Sequence, residues 1–461
     1  MKTFIENLNP VKFFLIFATI FGVIFLFITP PFQTPDELAH FERAYQISEG
    51  TLLVQKDGPI AGGLLPSSIN KTILAMHESS IAGNFSEKFQ LNWLRNAASI
   101  KLDSSAKTYY DFAGTAYYTP IVYVFQSTGI LIGRLANLPP VFLMYLGRLG
   151  NLLEWILLLG LAIRLTPSKK WLLVAFGLLP MSLFEAISIS ADSVTLSVTA
   201  LSIALVLYYR KKNSVMRWKD LALLTSVFTI LVLSKPVMFV LLPIVLLLPL
   251  AKLKPTKKRL IITSILIFVP LLLYLLWMAA VHGIKLTAGD PYSPMPGSQF
   301  KFILTHPFGY LKVLLKTFFG SSGDGISGSF IGNFGSLDTP LPLVWIVLGY
   351  ISIAFLAFVD YGKRTLLKLT RLEKLVTLST LILYSLAVST ALYVFYSPLK
   401  YPYIVGLQGR YFIPLIALAL PLFAGFNYIK TTRFFYKSFA IVTLQLLLIA
   451  STITIFLRFF A

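Results

Sequence analysis

Long apolar runs, separated by short clusters of charge, set the character of the chain. Val11 to Ile28, Leu260 to Val281, Leu341 to Val359 and Ser438 to Leu457 are each long enough to cross a hydrocarbon layer of about 30 Å as helix. The pattern predicts an all-α polytopic membrane protein, a single integral membrane domain over residues 1–461. The first run continues into Thr29-Pro30-Pro31-Phe32 with no small-residue cleavage site, so it reads as a retained first helix.

The polar clusters order these runs. Lysine and arginine gather at Arg164/Lys169/Lys170, Arg210/Lys211/Lys212/Arg217/Lys219, Lys252/Lys254/Lys257/Lys258/Arg259, Lys363/Arg364/Lys368/Arg371/Lys374 and Lys430/Arg433/Lys437. Short loops of this kind stay cytoplasmic. Placing all of them inside predicts about eleven transmembrane helices (range 10–13) with the N-terminus in the cytoplasm. Residues 118–138, bounded by Pro120 and Pro139-Pro140, would break that parity as a span and read as a re-entrant or interfacial helix. Residues 220–250 are too long for one span and lie between two basic clusters, so they must go out and back. Their break is Ser234-Lys235-Pro236, which places Lys235 at the external mouth of two short helices; snorkelling to the interface is its bland explanation. External material is then concentrated in a large first loop (31–117), a second loop (282–340) and a short one (396–410).

Composition excludes the soluble alternatives. The chain is 56% hydrophobic and 13% charged, against about a quarter charged in soluble domains. Its net charge of +21 would fit a nucleic-acid partner, but the basic residues lie in the clusters just described, which is a topology signal. Without cysteine there is neither a disulfide framework nor a thiolate metal site.

Candidate chemistry falls in the external segments. Thr34-Pro35-Asp36-Glu37 opens a helix, with Thr34 as cap and Glu37 completing a capping box. Capping does not explain Asp36, His40 and Arg43, which share one polar stripe at helical spacing opposite Leu38, Phe41 and Tyr45. An acid at the membrane surface can serve as general base to a hydroxyl, and Asp36 is the candidate. Asp192, in a tight connection on the same face, either caps the next helix or supplies a second carboxylate. Gly406-Leu407-Gln408-Gly409-Arg410-Tyr411 offers glycines for close backbone approach and a guanidinium suited to phosphate, which Arg410 and Lys235, with Gln408, would bind on a donor. His306, Asp338 and Tyr411 are further substrate-contact candidates with His40 and Arg43, although a lone histidine before proline is more often structural. No metal-ligand spacing occurs; no cofactor is indicated, and a divalent cation is compatible with the acids but not called for.

The Pro30-Pro31, Pro35-Asp36-Glu37 and His40-Phe41 groups, Leu179-Pro180 with Ser188, Ser190 and Asp192, Lys235-Pro236, His306-Pro307, the Gly332/Gly335/Asp338 turn and Gln408-Gly409-Arg410-Tyr411 together resemble the bacterial membrane proteins called domain of unknown function 2142. The resemblance runs along nearly the whole chain. That family is similar in layout to the GT-C glycosyltransferases. The resemblance implies a polyprenyl-phosphate-linked sugar donor, an acceptor reached from outside the cytoplasm and inversion at the anomeric carbon. It implies catalytic roles for Asp36, Glu37 and Asp192. The expected protein is a GT-C-like glycosyltransferase in the bacterial cytoplasmic membrane, its acceptor a cell-envelope glycan, glycolipid or protein. A transporter or flippase of a lipid-linked saccharide is the alternative, with Arg148, Glu154 and Glu185 as intramembrane polar groups; against it, the two halves show no repeat.

Overall fold

Helix boundaries follow local chemistry closely. In the computed structural model the Asn9 side chain accepts from Val11 N at 2.8 Å, Pro10 takes the first helical position, and the helix ends at Ile28 before Pro30-Pro31. The structure describes residues 2–57, 60–212, 216–249, 255–284, 294–320, 322–359, 367–424 and 431–461. Of the basic clusters, Lys252, Lys254, Lys363, Arg364 and Lys430 lie outside these residues.

In chain order the helices are α1 (Lys2–Asn7), α2 (Pro10–Ile28), α3 (Glu37–Ser48), α4 (Ser67–Ala75), α5 (Glu78–Ile81), α6 (Leu91–Ser99), α7 (Val124–Leu135), α8 (Pro140–Leu165), α9 (Lys170–Leu178) and α10 (Pro180–Ala186). There follow α11 (Asp192–Lys212), α12 (Trp218–Ser234), α13 (Thr256–Ala280), α14 (Pro296–Thr305), α15 (Pro307–Phe319), α16 (Ser322–Ile331), α17 (Leu343–Phe358), α18 (Arg371–Phe395), α19 (Pro414–Phe423) and α20 (Arg433–Phe460). Among the described residues, six of them, α2, α8, α11, α13, α18 and α20, are long and apolar enough to cross a membrane, and shorter apolar helices accompany them. The protein is a mostly helical membrane protein.

The bundle is built around α11, which is buried on nearly every side, whereas α13 turns most of its leucines outward. Helix α7, too short to cross, lies along α8 at glycine contacts. A Cβ on Gly129 would stand 2.2 Å from the Leu146 carbonyl oxygen, and one on Gly150 2.3 Å from that of Phe125. The 220–250 stretch does break at Lys235, where α12 gives way to a 3-10 helix over Pro236–Leu247.

Ion pairs and helix ends define two poles. At one pole Arg210, from the last turn of α11, donates to Glu373 Oε2 at 2.8 Å in the first turn of α18, and Lys437 caps the end of α1 through the Glu6 and Leu8 carbonyls at 2.7 and 2.8 Å. At the other lie the N-terminus of α11, the C-terminus of α18 and the first long loop. That loop contains a sheet the helical reading did not anticipate: β1 (Gln55–Asp57), β2 (Ile60–Pro66) and β3 (Lys107–Asp111), antiparallel in that order, with Gly62 opposite Asp111. A two-stranded hairpin, β4 (Asn333–Phe334) and β5 (Thr339–Pro340), sits at the same pole. Arg458 near the end of α20 ties these parts together, donating to Asp338 at 2.8 Å and to the Ile81 carbonyl at 2.7 Å, while Phe89 N donates to the Phe459 carbonyl at 2.8 Å.

The start of α3 departs from the expected capping box. The helix begins at Glu37, behind Asp36 in the left-handed region (φ 61°), and neither Thr34 nor Asp36 caps it. The expected polar stripe is absent too, because α3 is buried on both faces, with His40, Phe41, Arg43 and Tyr45 all inside.

Candidate active site

Five charged side chains meet at the pole that carries the loops, each delivered by a different element. Asp36 comes from the turn before α3, Glu185 from α10, Asp192 from the first turn of α11, Lys235 from the α12 break and Arg410 from a 3-10 turn over Gly409–Phe412. Arg410 is the hub. Its Nη1 donates to Glu185 Oε1 at 2.7 Å and lies 3.8 Å from Asp192 Oδ2, its Nη2 reaches Asp36 Oδ2 at 3.4 Å, and its Nε donates to Gln408 Oε1 at 2.5 Å. Lys235 donates to Asp192 Oδ1 at 2.6 Å, and its ammonium stands 4.4 Å from the centre of the Tyr411 ring. Three carboxylates thus face two cations, and the two expected phosphate binders are already engaged by acids.

Asp36 differs from the rest. Its side chain is 67% exposed where Glu185 and Arg410 are buried, and among the described residues its only ionic contact is the long one to Arg410. A non-glycine residue in the left-handed region carries strain of about 1–3 kcal/mol, which the surrounding turn must hold. That turn is held by burial: Phe32, Gln33 and Thr34 are inside, and Gln33 donates to the Glu78 carbonyl at 3.0 Å.

Tyrosines wall the site. His40 Nδ1 lies 2.7 Å from the Tyr123 hydroxyl, and its ring packs 5.4 Å from that of Tyr118. Burial lowers His40 to about 4, against a smaller upward pull from Asp36 and Asp192, so the imidazole is neutral at physiological pH. Tyr384 donates to the Tyr411 carbonyl at 2.8 Å. Tyr118 and Tyr396 lie close enough to feel Asp36 and Tyr411 electrostatically. An apolar groove of about 370 Å³ is lined chiefly by Ile121, Leu233, Leu273, Leu276 and Trp277. Two of its walls run directly into the site, through Tyr118-Thr119 and Leu233-Ser234-Lys235, and are joined by the Thr119 hydroxyl donating to the Leu233 carbonyl at 2.8 Å.

Several candidates lie elsewhere. Glu37, expected as a catalytic partner of Asp36, is fully buried, because Arg148 grips it in a two-pronged pair at 2.6 and 2.7 Å and the Phe32 and Ile189 amides donate to it at 3.1 Å each. Arg43 donates to Gln46 Oε1 and the Leu52 carbonyl inside the loop domain. His306 is exposed and bonds its neighbour Thr305 at 2.8 Å. Asp338 pairs with Arg458 and accepts from Gly83 N at 3.1 Å, closing the β4–β5 hairpin onto the first loop. Gly409 does provide a close backbone approach, but to α16 instead of a ligand: a Cβ there would stand 1.9 Å from the Ile326 carbonyl oxygen.

Glu185 and the tyrosines Tyr118, Tyr123, Tyr384 and Tyr396 belong to the site but were not among the expected site residues. For Glu185 a signal existed, since an acid inside an apolar run needs a partner or a function. Among the described residues no group of three histidines or acids is arranged to hold a metal ion.

No curated protein and no solved structure matches the chain. A family model described as predicted membrane protein (DUF2142) matches residues 18–419, a stretch that contains all five charged residues of the site. The chain is therefore a member of the domain of unknown function 2142 family of membrane proteins.

Proposed function

We propose that the protein is a GT-C-type glycosyltransferase that moves a sugar from a polyprenyl-phosphate-linked donor to a cell-envelope glycan, glycolipid or protein on the extracytoplasmic face of a bacterial cytoplasmic membrane. The observation that carries this reading is Asp36: an exposed carboxylate in a left-handed turn, at the mouth of a site otherwise closed by ion pairs, with an apolar groove nearby whose wall residue Leu233 lies two positions before Lys235. An amphiphile with its chain in the groove would present its head group to Lys235, Arg410 and Asp36.

In the proposed reaction an acceptor hydroxyl oxygen attacks the anomeric carbon and Asp36 takes its proton. The bond between that carbon and the donor phosphate oxygen breaks, the electron pair leaves with the phosphate, and the configuration inverts. Because Arg410 and Lys235 already hold carboxylates, the phosphate must compete for them. The long Arg410–Asp36 contact is the easiest to exchange, and exchanging it would free the base as the donor arrives. Glu185 keeps Arg410 in place during that exchange.

The test is to incubate the purified protein in lipid with a panel of polyprenyl-phosphate sugars and measure release of polyprenyl phosphate. Donor-dependent release is expected; movement of the intact donor across the bilayer without release would assign the protein to transport instead. The proposed topology places about eleven spans with the N-terminus inside. A cysteine at Ser104 is expected to react with an impermeant thiol reagent from outside and one at Asn213 not to; reversed labelling would move the site to the cytoplasmic face.

A further inference from the structure

Helices α14 and α15 form a bent hairpin at His306-Pro307 whose two faces have opposite character. At about 1.5 Å per residue, their 10 and 13 residues make them roughly 15 and 20 Å long, so neither crosses a bilayer. The inner face is locked by polar bonds to the pole that holds the site. Buried Gln299 donates to the Tyr393 carbonyl at 3.2 Å and accepts from Lys400 N at 2.8 Å, Tyr310 bonds Thr390 at 2.8 Å, and Thr317 Oγ1 accepts from Ile404 N at 3.0 Å.

The outer face is apolar and open. Phe300, Leu304 and Leu315 are exposed, and Phe308 and Phe319 are each 85% exposed. Lys301, Lys312 and Lys316 are exposed as well, and neither helix contains an acid. On α15, at about 100° per residue, Phe308, Leu315 and Phe319 form one stripe with both lysines on the same flank. Water does not accommodate two such phenylalanines cheaply, and a purely apolar environment does not accommodate the lysines. A lipid interface accommodates both, with acyl chains under the stripe and phosphates beside the ammonium groups.

We propose that the α14–α15 hairpin is a docking surface for the anionic head-group layer of the leaflet at the site pole, with Phe308, Leu315 and Phe319 in the acyl region and Lys301, Lys312 and Lys316 on lipid phosphates. The surface bears on the site through two contacts. Phe318 packs edge-on against Phe412 at 5.6 Å, two residues from Arg410, and Ser329 of the adjoining α16 accepts from Gly409 N at 2.8 Å. The docking is independent of the reaction assigned to that site.

The chain has no cysteine, so Phe308→Cys and Phe319→Cys each carry a unique label, and both positions are exposed enough to substitute without loss of packing. Each variant is labelled with an environment-sensitive fluorophore and placed in nanodiscs. They contain nitroxide-labelled phosphatidylglycerol or, at the same mole fraction, nitroxide-labelled phosphatidylcholine. Both labels are expected to be quenched by nitroxide lipid and protected from aqueous iodide. The anionic lipid is expected to enrich at the label by about fivefold for each engaged lysine, and Lys301→Gln/Lys312→Gln/Lys316→Gln is expected to remove the preference. Iodide quenching without lipid quenching at both positions would overturn the docking and leave the face for a protein partner. Equal quenching by the two lipids in the parent would overturn the anionic preference.

Discussion

Arg148 and Arg410 are both buried arginines that hold glutamates, Glu37 and Glu185, brought from distant parts of the chain, yet their surroundings differ. Every N–H of Arg148 is used: two on Glu37 and the others on the carbonyls of Leu26, Thr29 and Pro30 at 2.7–3.2 Å. It staples the end of α2 to α8 and to the start of α3. Arg410 holds Glu185 tightly but reaches Asp36 and the Tyr411 hydroxyl only at 3.4 and 3.5 Å. A closed pair of the first kind is scaffold, because no donor is left for a ligand. An arginine with two long, exchangeable contacts beside an exposed carboxylate has capacity to spare.

Four measurements bear on this contrast, from the largest expected effect down. Asp36→Asn keeps the side-chain size but removes the proton acceptor. It is expected to lower turnover by about a hundred- to ten-thousand-fold while donor binding stays near the parent value; full turnover would end the general-base role. Glu37→Gln strands the Arg148 charge in a buried setting, and a broken pair of that kind costs about 3–5 kcal/mol. It is expected to lower thermal stability in detergent while turnover per folded molecule is kept. Unchanged melting with lost turnover would place Glu37 in the reaction.

Arg410→Lys keeps the charge and loses the planar fork, and Lys235→Met loses the charge. Each is expected to weaken donor use by about ten- to a hundred-fold, since a charge-assisted bond is worth about 1.5–3 kcal/mol. An unchanged dependence on donor concentration in both variants would remove the phosphate role and leave Asp36 untouched. The smallest effect concerns Glu42, the second acid of α3. Burial, helped by the charge of Asp111, pushes it up to about 8. The folded state then holds a proton that the unfolded chain releases near 4.5, so stability falls as pH rises from about 4.5 to 8. Glu42→Gln is expected to flatten that part of the pH–melting profile; an unaltered slope would show that Glu42 is ionised in the fold.

What could be read in advance follows the range of the interaction. The break at Lys235 is local, because Pro236 cannot continue α12, and the exposed acid at Asp36 follows from its place after the first apolar run. The role of Glu37 could not be read. Its spacing from Thr34 is that of a capping box, and nothing nearby reveals Arg148, 111 residues away, as its partner. Glu185 signals a partner or a function by lying in an apolar run, but which partner is hidden for the same reason, since its arginine lies 225 residues further on. The β2–β3 pairing is not legible locally, because its strands lie more than 40 residues apart and Gly62 is there to let the Tyr110 carbonyl pass close.

The clasp between the first long loop and the end of α20 bears on how the protein is made. Arg458 bonds the carbonyls of Ile81 and Glu87, the latter 371 residues earlier in the chain. At a synthesis rate of about 5–20 residues per second, the loop waits roughly 20–70 s for the arginine that fastens it. During that wait Ile81 and Phe89, buried in the finished protein, have no lid, and the loop is open to proteases and chaperones on whichever side of the membrane it emerges. The quality of each molecule is thus decided late, when α20 arrives to find its loop intact.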